Sequence, residues 1–418
     1  MQNAPFNGSV AIACGGTGGH LFPGRAVAEE LLARGCAVTL LISPKEVDQQ
    51  AAHATAGLTV VTLPAVGCTW AHLGRFVHGA WKSFRLARRL FRERPPQAVL
   101  AMGGFTSGPP VLAGKLAGAA TFLHESNSVP GRANRWIARL VDQAFVGFAQ
   151  AAPRLHAPSV EITGTPVREP FRPGGAESAR TALGLDPKRP VLLVMGGSQG
   201  ASGINDLVIQ ARASLKQALP TLQFVHLTGS RDVEKVRAAY QASSLRAVVR
   251  PFLTEMELAL AAATVAISRA GGSSMAELAA MRLPSILVPY PFAADNHQFH
   301  NARAFVEIGA ARMLVQKQAT PQLFAQMTTD LVLNEARREG MKQALAQWHK
   351  PDVAARIAEK ILQRAGIPAR PALSGADPDR SSPSAVAAED HAPARSGSVR
   401  RNGLVSPALE PEVVPLKS

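Results

Sequence analysis

The chain has 418 residues, beyond the ~250–300 at which a single hydrophobic core stops growing, so two domains are expected. Hydrophobic residues make up 46% and charged residues 18%, which excludes a chain disordered throughout, and three scattered cysteines (Cys14, Cys36, Cys68) exclude a disulfide framework or a cysteine zinc site. The net charge of +15 admits nucleic acid, acidic lipid or a phosphorylated substrate as partner.

The N-terminus has no basic stretch followed by an apolar one, and no run approaches the ~18 apolar residues that span a bilayer. Apolar runs at 10–14, 37–42, 58–63, 98–102, 121–124 and 144–146 read as strands, with helical patterns at 24–34 and 131–140 between them. This alternation predicts α/β structure, a parallel sheet with helices on both faces. A Pro- and Gly-rich region, 164–190, reads as an interdomain linker. The pattern then restarts with strands at 191–195, 224–227, 247–249, 265–268 and 285–288. The expected organisation is therefore a domain at 1–163, the linker, a second domain at 191–350 and a helix at 351–365. Residues 366–418 read as a disordered tail, rich in Pro, Ala, Ser and Arg. That tail carries six basic and six acidic residues, so the positive excess lies before it. Two doubly wound halves leave a cleft between the carboxyl ends of their sheets, where such sheets bind ligands.

Four strands run into glycines: Gly15-Gly16, Gly103-Gly104, Gly196-Gly197 and Gly271-Gly272. Each pair can serve as a tight turn. All four together, each ahead of a helix N-terminus, suit a pyrophosphate. Two familiar motifs fail. Leu21 breaks a dinucleotide fingerprint starting at Gly16, and Arg25-Ala26 stands where a P-loop needs Lys and Ser or Thr.

His20 follows the first glycine loop, as a general base or as a histidine that caps the loop. His124-Glu125 lacks the second histidine of a zinc helix, because Ser128 stands there. Glu125 and Asn127 remain polar groups at a strand end. His297 and His300, near Asp295, have ligand-like spacing that exposed polar residues also show. Glu277, near the start of a helix, can accept hydrogen bonds from ribose hydroxyls or merely complement the helix dipole. Between Leu73 and Arg94, Val77, Trp81, Phe84 and Phe91 recur at helical spacing beside Arg85 and Arg89. This helix reads as an anionic-membrane element or as one packed on the sheet, and both hold if its apolar stripe divides.

The motifs occur in a characteristic order. Gly15-Gly16-Thr17-Gly18-Gly19-His20 comes first, then Met102-Gly103-Gly104-Phe105-Thr106-Ser107-Gly108-Pro109 and His124-Glu125-Ser126-Asn127. Gly164-Thr165-Pro166-Val167-Arg168, Gly196-Gly197-Ser198-Gln199-Gly200-Ala201, the region from Ser268 to Glu277, and Asp295-Asn296-His297-Gln298 with Asn301 follow. Over residues 9–365 the chain resembles the MurG family, bacterial transferases that add N-acetylglucosamine to the undecaprenyl-linked muramyl-pentapeptide of peptidoglycan.

The resemblance implies the GT-B fold, two Rossmann-like domains facing across a cleft. It implies metal-independent, inverting transfer from UDP-N-acetylglucosamine to the 4-hydroxyl of the muramyl sugar, with no cofactor. It puts His20 in the role of base, alone or assisted by Glu125. Acceptor and pyrophosphate contacts fall on Gly15, Gly16, Gly103 and Gly104. Thr17, Gly18, Gly19 and Asn127 match donor-contacting positions, and Arg168 and Ser198 positions near the diphosphate. Leu253 falls where the uracil is held by backbone contacts. Gly272, Ser273, Ser274, Met275 and Ala276 match substrate-binding positions that lead to Glu277 at the ribose, and Gln298 falls at the transferred sugar. Ser126 and Thr165 depart from the family's usual glutamine and asparagine.

The implied partners are UDP-N-acetylglucosamine, the lipid-linked acceptor, an anionic membrane surface and the cell-wall synthesis machinery. The implied location is peripheral, on the cytoplasmic face of the inner membrane. The rivals are a nucleotide-sugar 2-epimerase or another lipid glycosyltransferase, a non-catalytic UDP-sugar scaffold, and a nucleic-acid binder. The last has no motif to support it.

Overall fold

The computed structural model describes residues 6–16, 18–45, 57–65, 73–197 and 200–368. Thr17, Ser198 and the expected tail from residue 369 onward lie outside the described residues. The first sheet contains β1 (Gly8–Ala13), β2 (Cys36–Ile42), β3 (Thr59–Thr62), β4 (Ala98–Ala101), β5 (Ala120–Glu125), β6 (Gln143–Val146) and β7 (Val160–Ile162). All pairs are parallel, in the order β3-β2-β1-β4-β5-β6-β7. The second contains β8 (Val191–Met195), β9 (Gln223–Leu227), β10 (Ala247–Arg250), β11 (Val265–Ser268), β12 (Ser285–Leu287) and β13 (Arg312–Met313). It too is parallel, in the order β10-β9-β8-β11-β12-β13.

Helices α1 (Gly18–Ala33), α2 (Leu73–Glu93), α3 (Gly108–Leu116) and α4 (Arg132–Ile137) accompany the first sheet. With the second come α5 (Ala176–Ala182), α6 (Ser202–Ala218), α7 (Val233–Ala242), α8 (Met256–Ala262), α9 (Gly272–Ala280), α10 (His297–Glu307), α11 (Pro321–Leu333) and α12 (Glu335–Trp348). The chain then continues into α13 (Val353–Ala365).

Each sheet is covered on both faces, which explains why its central strands read as continuous apolar runs and not as alternating ones. Along β1, Val10 and Ile12 enter one core while Ala11 and Ala13 enter the other. Along β8, Leu192 and Val194 face one core, and Val191, Leu193 and Met195 the other. The strands expected from sequence are all present. β7 and β13 are additional, edge strands of three and two residues with partly exposed side chains and no apolar run to announce them.

One expectation about the chain path needs correction. Much of the expected linker belongs to the second half. Phe171, Ala179, Leu183 and Leu185 share a core with Val191 and Leu193, and α5 packs against α8. The short length of α5 and its Pro- and Gly-rich surroundings hide it from a periodicity reading. The helix expected at 351–365 packs on the first half, against α1, with Val353, Ile357 and Ile361 in the core that holds Val10, Leu31 and Phe122. Each buried Ile or Leu contributes roughly 1.5–3 kcal/mol, so apolar burial holds α13 on the domain opposite the one that precedes it. The chain thus joins the halves twice. The two connections meet where Lys350 Nζ donates to the Ile162 carbonyl at 2.9 Å. Among the described residues no helix is long and apolar enough to cross a membrane.

Candidate active site

The strand order reverses at β1 and β4 in the first sheet and at β8 and β11 in the second. The four glycine pairs follow these four strands. Switch points open a crevice because the connections leave toward opposite faces there. Thr106 Oγ1 ties the first two loops together by donating to the Gly15 carbonyl at 2.6 Å, and Ser107 Oγ closes the second loop on its own Gly103 carbonyl at 2.7 Å.

His20 is the third residue of α1, which starts earlier than the helical pattern predicts. Its ring lies against Gly103 and Gly104, whose φ values are +105° and +80°. A Cβ on Gly103 would stand 3.0 Å from His20 Cε1, and one on Gly104 3.2 Å from His20 Cδ2. The second glycine pair therefore seats the imidazole as well as leaving backbone open to a ligand. Lys45 is a cation that no motif signals. Its Nζ donates to the Gly16 carbonyl at 2.6 Å and lies 5.7 Å from the centre of the Phe105 ring.

Glu125 is not poised as a second catalytic group. It is 1% exposed, and its two oxygens accept four hydrogen bonds. Oε1 takes the Asn127 backbone N–H and Nδ2, both at 2.9 Å. Oε2 takes the Gly131 N–H at 2.9 Å and Asn134 Nδ2 at 2.8 Å. The carboxyl group is thus occupied in shaping the loop after β5. One of its partners, Asn134, has its amide nitrogen beside the same point on Gly103 as His20 Cε1. His124 is structural too. Burial pushes its imidazole down to about 4, and its Nε2 lies 2.9 Å from the Gly164 carbonyl.

In the second half, α9 opens at Gly271 with no side-chain cap. The N–H groups of its first turn, at Gly272, Ser273 and Ser274, are the donors that suit an anion. Met275, expected at the ligand, points into the core, and its N–H already serves the Gly271 carbonyl at 3.0 Å, while Ala276 is buried and lines a cavity with Gly147, Phe148 and Thr165. Met275 therefore contributes packing.

Arg168 is stacked between two rings, 5.5 Å from the centre of Phe22 on α1 and 5.0 Å from Phe171. Its Nη2 reaches Glu257 Oε2 at 3.9 Å. Glu277, partly buried in α9, is raised to about 7 by burial, with the Arg168 charge opposing and the Glu257 charge adding. Glu257 was not legible as a site residue, since an acid in the first turn of a helix is ordinary. Leu253 is partly buried against the second domain's core. Gln298 accepts the Tyr290 N–H at 2.9 Å, which leaves its amide nitrogen available as a donor. His297 Nδ1 lies 2.8 Å from the Ala294 carbonyl, and Asp295 is paired with Arg132 and Arg135.

The two walls touch. A Cβ on Gly272 would stand 2.1 Å from the Ser126 carbonyl oxygen, so α9 meets the loop after β5 with no room for a side chain. Asn301 on α10 bonds to Ser128 and Asn127, and Asp295 pairs with Arg132 and Arg135 on α4. His20, Asn127, Arg168, Gly272 and Glu277 thereby come to one cleft.

The α2 residues do not join them. The stripe divides: Ala87 and Phe91 enter the core, while Val77 and Trp81 are 58% and 51% exposed. Phe84, a residue of the stripe read as a membrane element, is half-buried and packs on the core beside Leu86 and Leu90. Arg85 lies 4.8 Å from the centre of the Trp81 ring, and Arg89 is exposed beside Glu93.

Comparison with known proteins gives the family. The glycosyltransferase family 28 N-terminal domain matches residues 10–146, and the family 28 C-terminal domain matches residues 191–357. The chain is 37% identical over 373 residues to the UDP-N-acetylglucosamine–N-acetylmuramyl-(pentapeptide) pyrophosphoryl-undecaprenol N-acetylglucosamine transferase of Sorangium cellulosum. That match covers 87% of this chain and 90% of the relative. It is also 37% identical over 360 residues to the enzyme of that name from Xanthomonas campestris pv. campestris, covering 85% and 82%. The crystal structure of Acinetobacter baumannii MurG superposes with a TM-score of 0.66 at 27% identity, covering 85% of this chain and 99% of that one. The chain therefore belongs to glycosyltransferase family 28 and to the MurG family that its motifs resemble.

Folding raises the Glu277 pKa from 4.5 to about 7, so the folded chain holds a proton that the unfolded chain releases in that window. Stability contributed by this group is therefore lost as pH rises from 4.5 through 7. Glu277→Gln, uncharged throughout, is expected to gain in melting temperature relative to wild type between about pH 5 and about pH 8. A difference that stays constant with pH would mean an ordinary carboxylate.

Proposed function

We propose that the chain transfers N-acetylglucosamine from UDP-N-acetylglucosamine to the 4-hydroxyl of the muramyl sugar in undecaprenyl-pyrophosphoryl-MurNAc-pentapeptide, inverting the anomeric carbon. The observation that carries this reading is the contact between the two walls, α9 on the Ser126 carbonyl, which makes one site of His20 and of Glu277.

In a single displacement the acceptor oxygen attacks the anomeric carbon from the face opposite the diphosphate. The new glycosidic bond forms as the bond to UDP breaks, and UDP leaves with the electron pair. His20 takes the hydroxyl proton. The first-turn N–H groups of α9 and the Arg168 guanidinium face the charge that grows on the leaving diphosphate, which is where fixed donors lower a barrier most. Glu277 holds the ribose hydroxyls, the Leu253 backbone the uracil, Gln298 Nε2 a sugar hydroxyl, and Asn127 the transferred sugar. The Gly15-Gly16 and Gly103-Gly104 loops take the acceptor pyrophosphate. In this reading positive charge comes from Arg168 and the helix N-terminus, and no metal is required.

The acceptor is a lipid, so the enzyme must work at a surface. Trp81 and Val77 on α2, Leu112 and Leu116 on α3, and Trp136 on α4 are exposed, Trp136 to 69%. Seven basic residues lie between Leu73 and Arg94 against one acid, Glu93. An exposed aromatic and aliphatic surface with such a charge supports peripheral docking on the anionic cytoplasmic leaflet.

Radiolabelled UDP-N-acetylglucosamine with a short-chain analogue of the lipid-linked muramyl-pentapeptide is expected to yield labelled lipid. His20→Ala is expected to lose ~10²-fold or more in rate, the lower range of what a general base supplies. UDP-sugar binding without transfer would set this acceptor aside, and turnover of the nucleotide sugar alone would point to an epimerase. Excess EDTA is expected to leave the transfer rate within about twofold, since cationic side chains and helix dipoles stabilise the transition state. At the membrane, the double variant Trp81→Ala, Arg85→Ala is expected to bind vesicles containing phosphatidylglycerol at least ~5-fold more weakly, on the order of 1 kcal/mol for the lost charge alone. Turnover of a water-soluble acceptor by that variant should match wild type. Equal vesicle binding by the two proteins would remove α2 from the docking surface.

A further inference from the structure

Asn301 is 0% exposed and uses its side-chain amide four times. Its Oδ1 accepts the Ser128 N–H and the Ser128 hydroxyl, both at 2.8 Å. Its Nδ2 donates to Asn127 Oδ1 and to the Ala270 carbonyl, both at 3.0 Å. Three of these bonds cross the cleft to the loop after β5. The fourth ends one residue before Gly271-Gly272, where α9 begins.

The polarity of this chain of bonds has one solution. The Ser128 backbone N–H can only donate, so the amide oxygen of Asn301 must face it. The Ala270 carbonyl can only accept, so the amide nitrogen must face that side. Asn127 must then present its oxygen to Asn301 and its nitrogen to Glu125, which already accepts the Asn127 backbone N–H. Asn127 is left with one unused N–H and one unused lone pair, in a fixed orientation, on the cleft wall.

We propose that Asn301 is a positioning residue for the donor sugar: it sets the direction of the Asn127 amide and registers that amide against the N-terminus of α9. The inference rests on the donor-binding part of the reading above, in which Asn127 meets the sugar and α9 the diphosphate. Asn301 itself touches neither. Its contribution is that the sugar contact, on one domain, and the diphosphate contact, on the other, are held by the same side chain. Asp at this position would keep the bonds from Ser128 but lose both donations, and would turn an acceptor toward the Asn127 oxygen.

The test is calorimetric titration of UDP-N-acetylglucosamine and of UDP into the full chain, with melting curves alongside. Asn301→Asp is expected to weaken binding of the nucleotide sugar, relative to UDP, by about tenfold, the size of one well-placed polar contact. In an Asn127→Ala background the same change is expected to alter that ratio by less than about twofold, since nothing is left to orient. Should Asn301→Asp show no cooperative melt, Asn301→Ala is read in its place, with the same expectation. Parallel loss of both ligands would make Asn301 a structural clasp alone and overturn the proposal. So would an equal loss of the ratio in both backgrounds. Wild type that binds UDP-N-acetylglucosamine without transferring it would sink the transferase reading and leave this inference standing. Wild type that binds no UDP sugar would sink both.

Discussion

Everything at the cleft depends on how closely the N-terminus of α9 approaches the Ser126 carbonyl. Gly272 has no side chain, and any Cβ there would stand 2.1 Å from that oxygen. A methyl group at this point would push the halves apart by an ångström or more, because van der Waals contact between carbon and oxygen needs over 3 Å. The closeness also points one helix dipole at the loop that carries Asn127. Donors in the first turn of α9 and polar groups after β5 are thus set at fixed spacing before any ligand arrives, and fixed donors act without reorganising.

That contact is supported by buried polar groups whose valences are filled. Glu125 accepts four hydrogen bonds, and Asn301 makes four. Burying a polar group is costly unless its partners are present, and a complete set of partners gives a unique geometry. The same logic separates the two acids that flank the cleft. Glu125 has donors on every side and works as scaffold. Glu277 has few donors and lies near Glu257, so its proton stays on to about pH 7. A carboxyl that is poorly satisfied by its own protein is available to a ligand.

The two faces of the first domain divide their work in a comparable way. Ala87 and Phe91 fasten α2 to the sheet, and Trp81 with Arg85 is left to the outside. Asp295 pairs with Arg132 and Arg135 on α4, the helix that also exposes Trp136. The exposed aromatic surface and the closure of the cleft therefore share one helix. The return of α13 to the first half joins the halves at a second place.

The strands other than β7 and β13, the four glycine turns and the division of the α2 stripe were legible in the sequence because each is a local pattern. Strand residues buried on both faces are apolar without interruption, positive φ at Gly16, Gly103, Gly104 and Gly197 selects glycine, the close approach to Ser126 selects it at Gly272, and helical spacing shows in the chain itself. The order of motifs was also enough for the family. Tertiary structure alone decided what Glu125, Asn301 and Phe84 do, where residues 171–185 pack, and which half α13 belongs to. The reason is physical. Asn301 meets Ser128 across 173 positions of chain, and Glu125 is filled by groups on a loop and a helix folded back upon it. A hydrogen bond between distant residues leaves no periodicity, and the side chains that make it look like any other Asn or Glu until the fold brings them together.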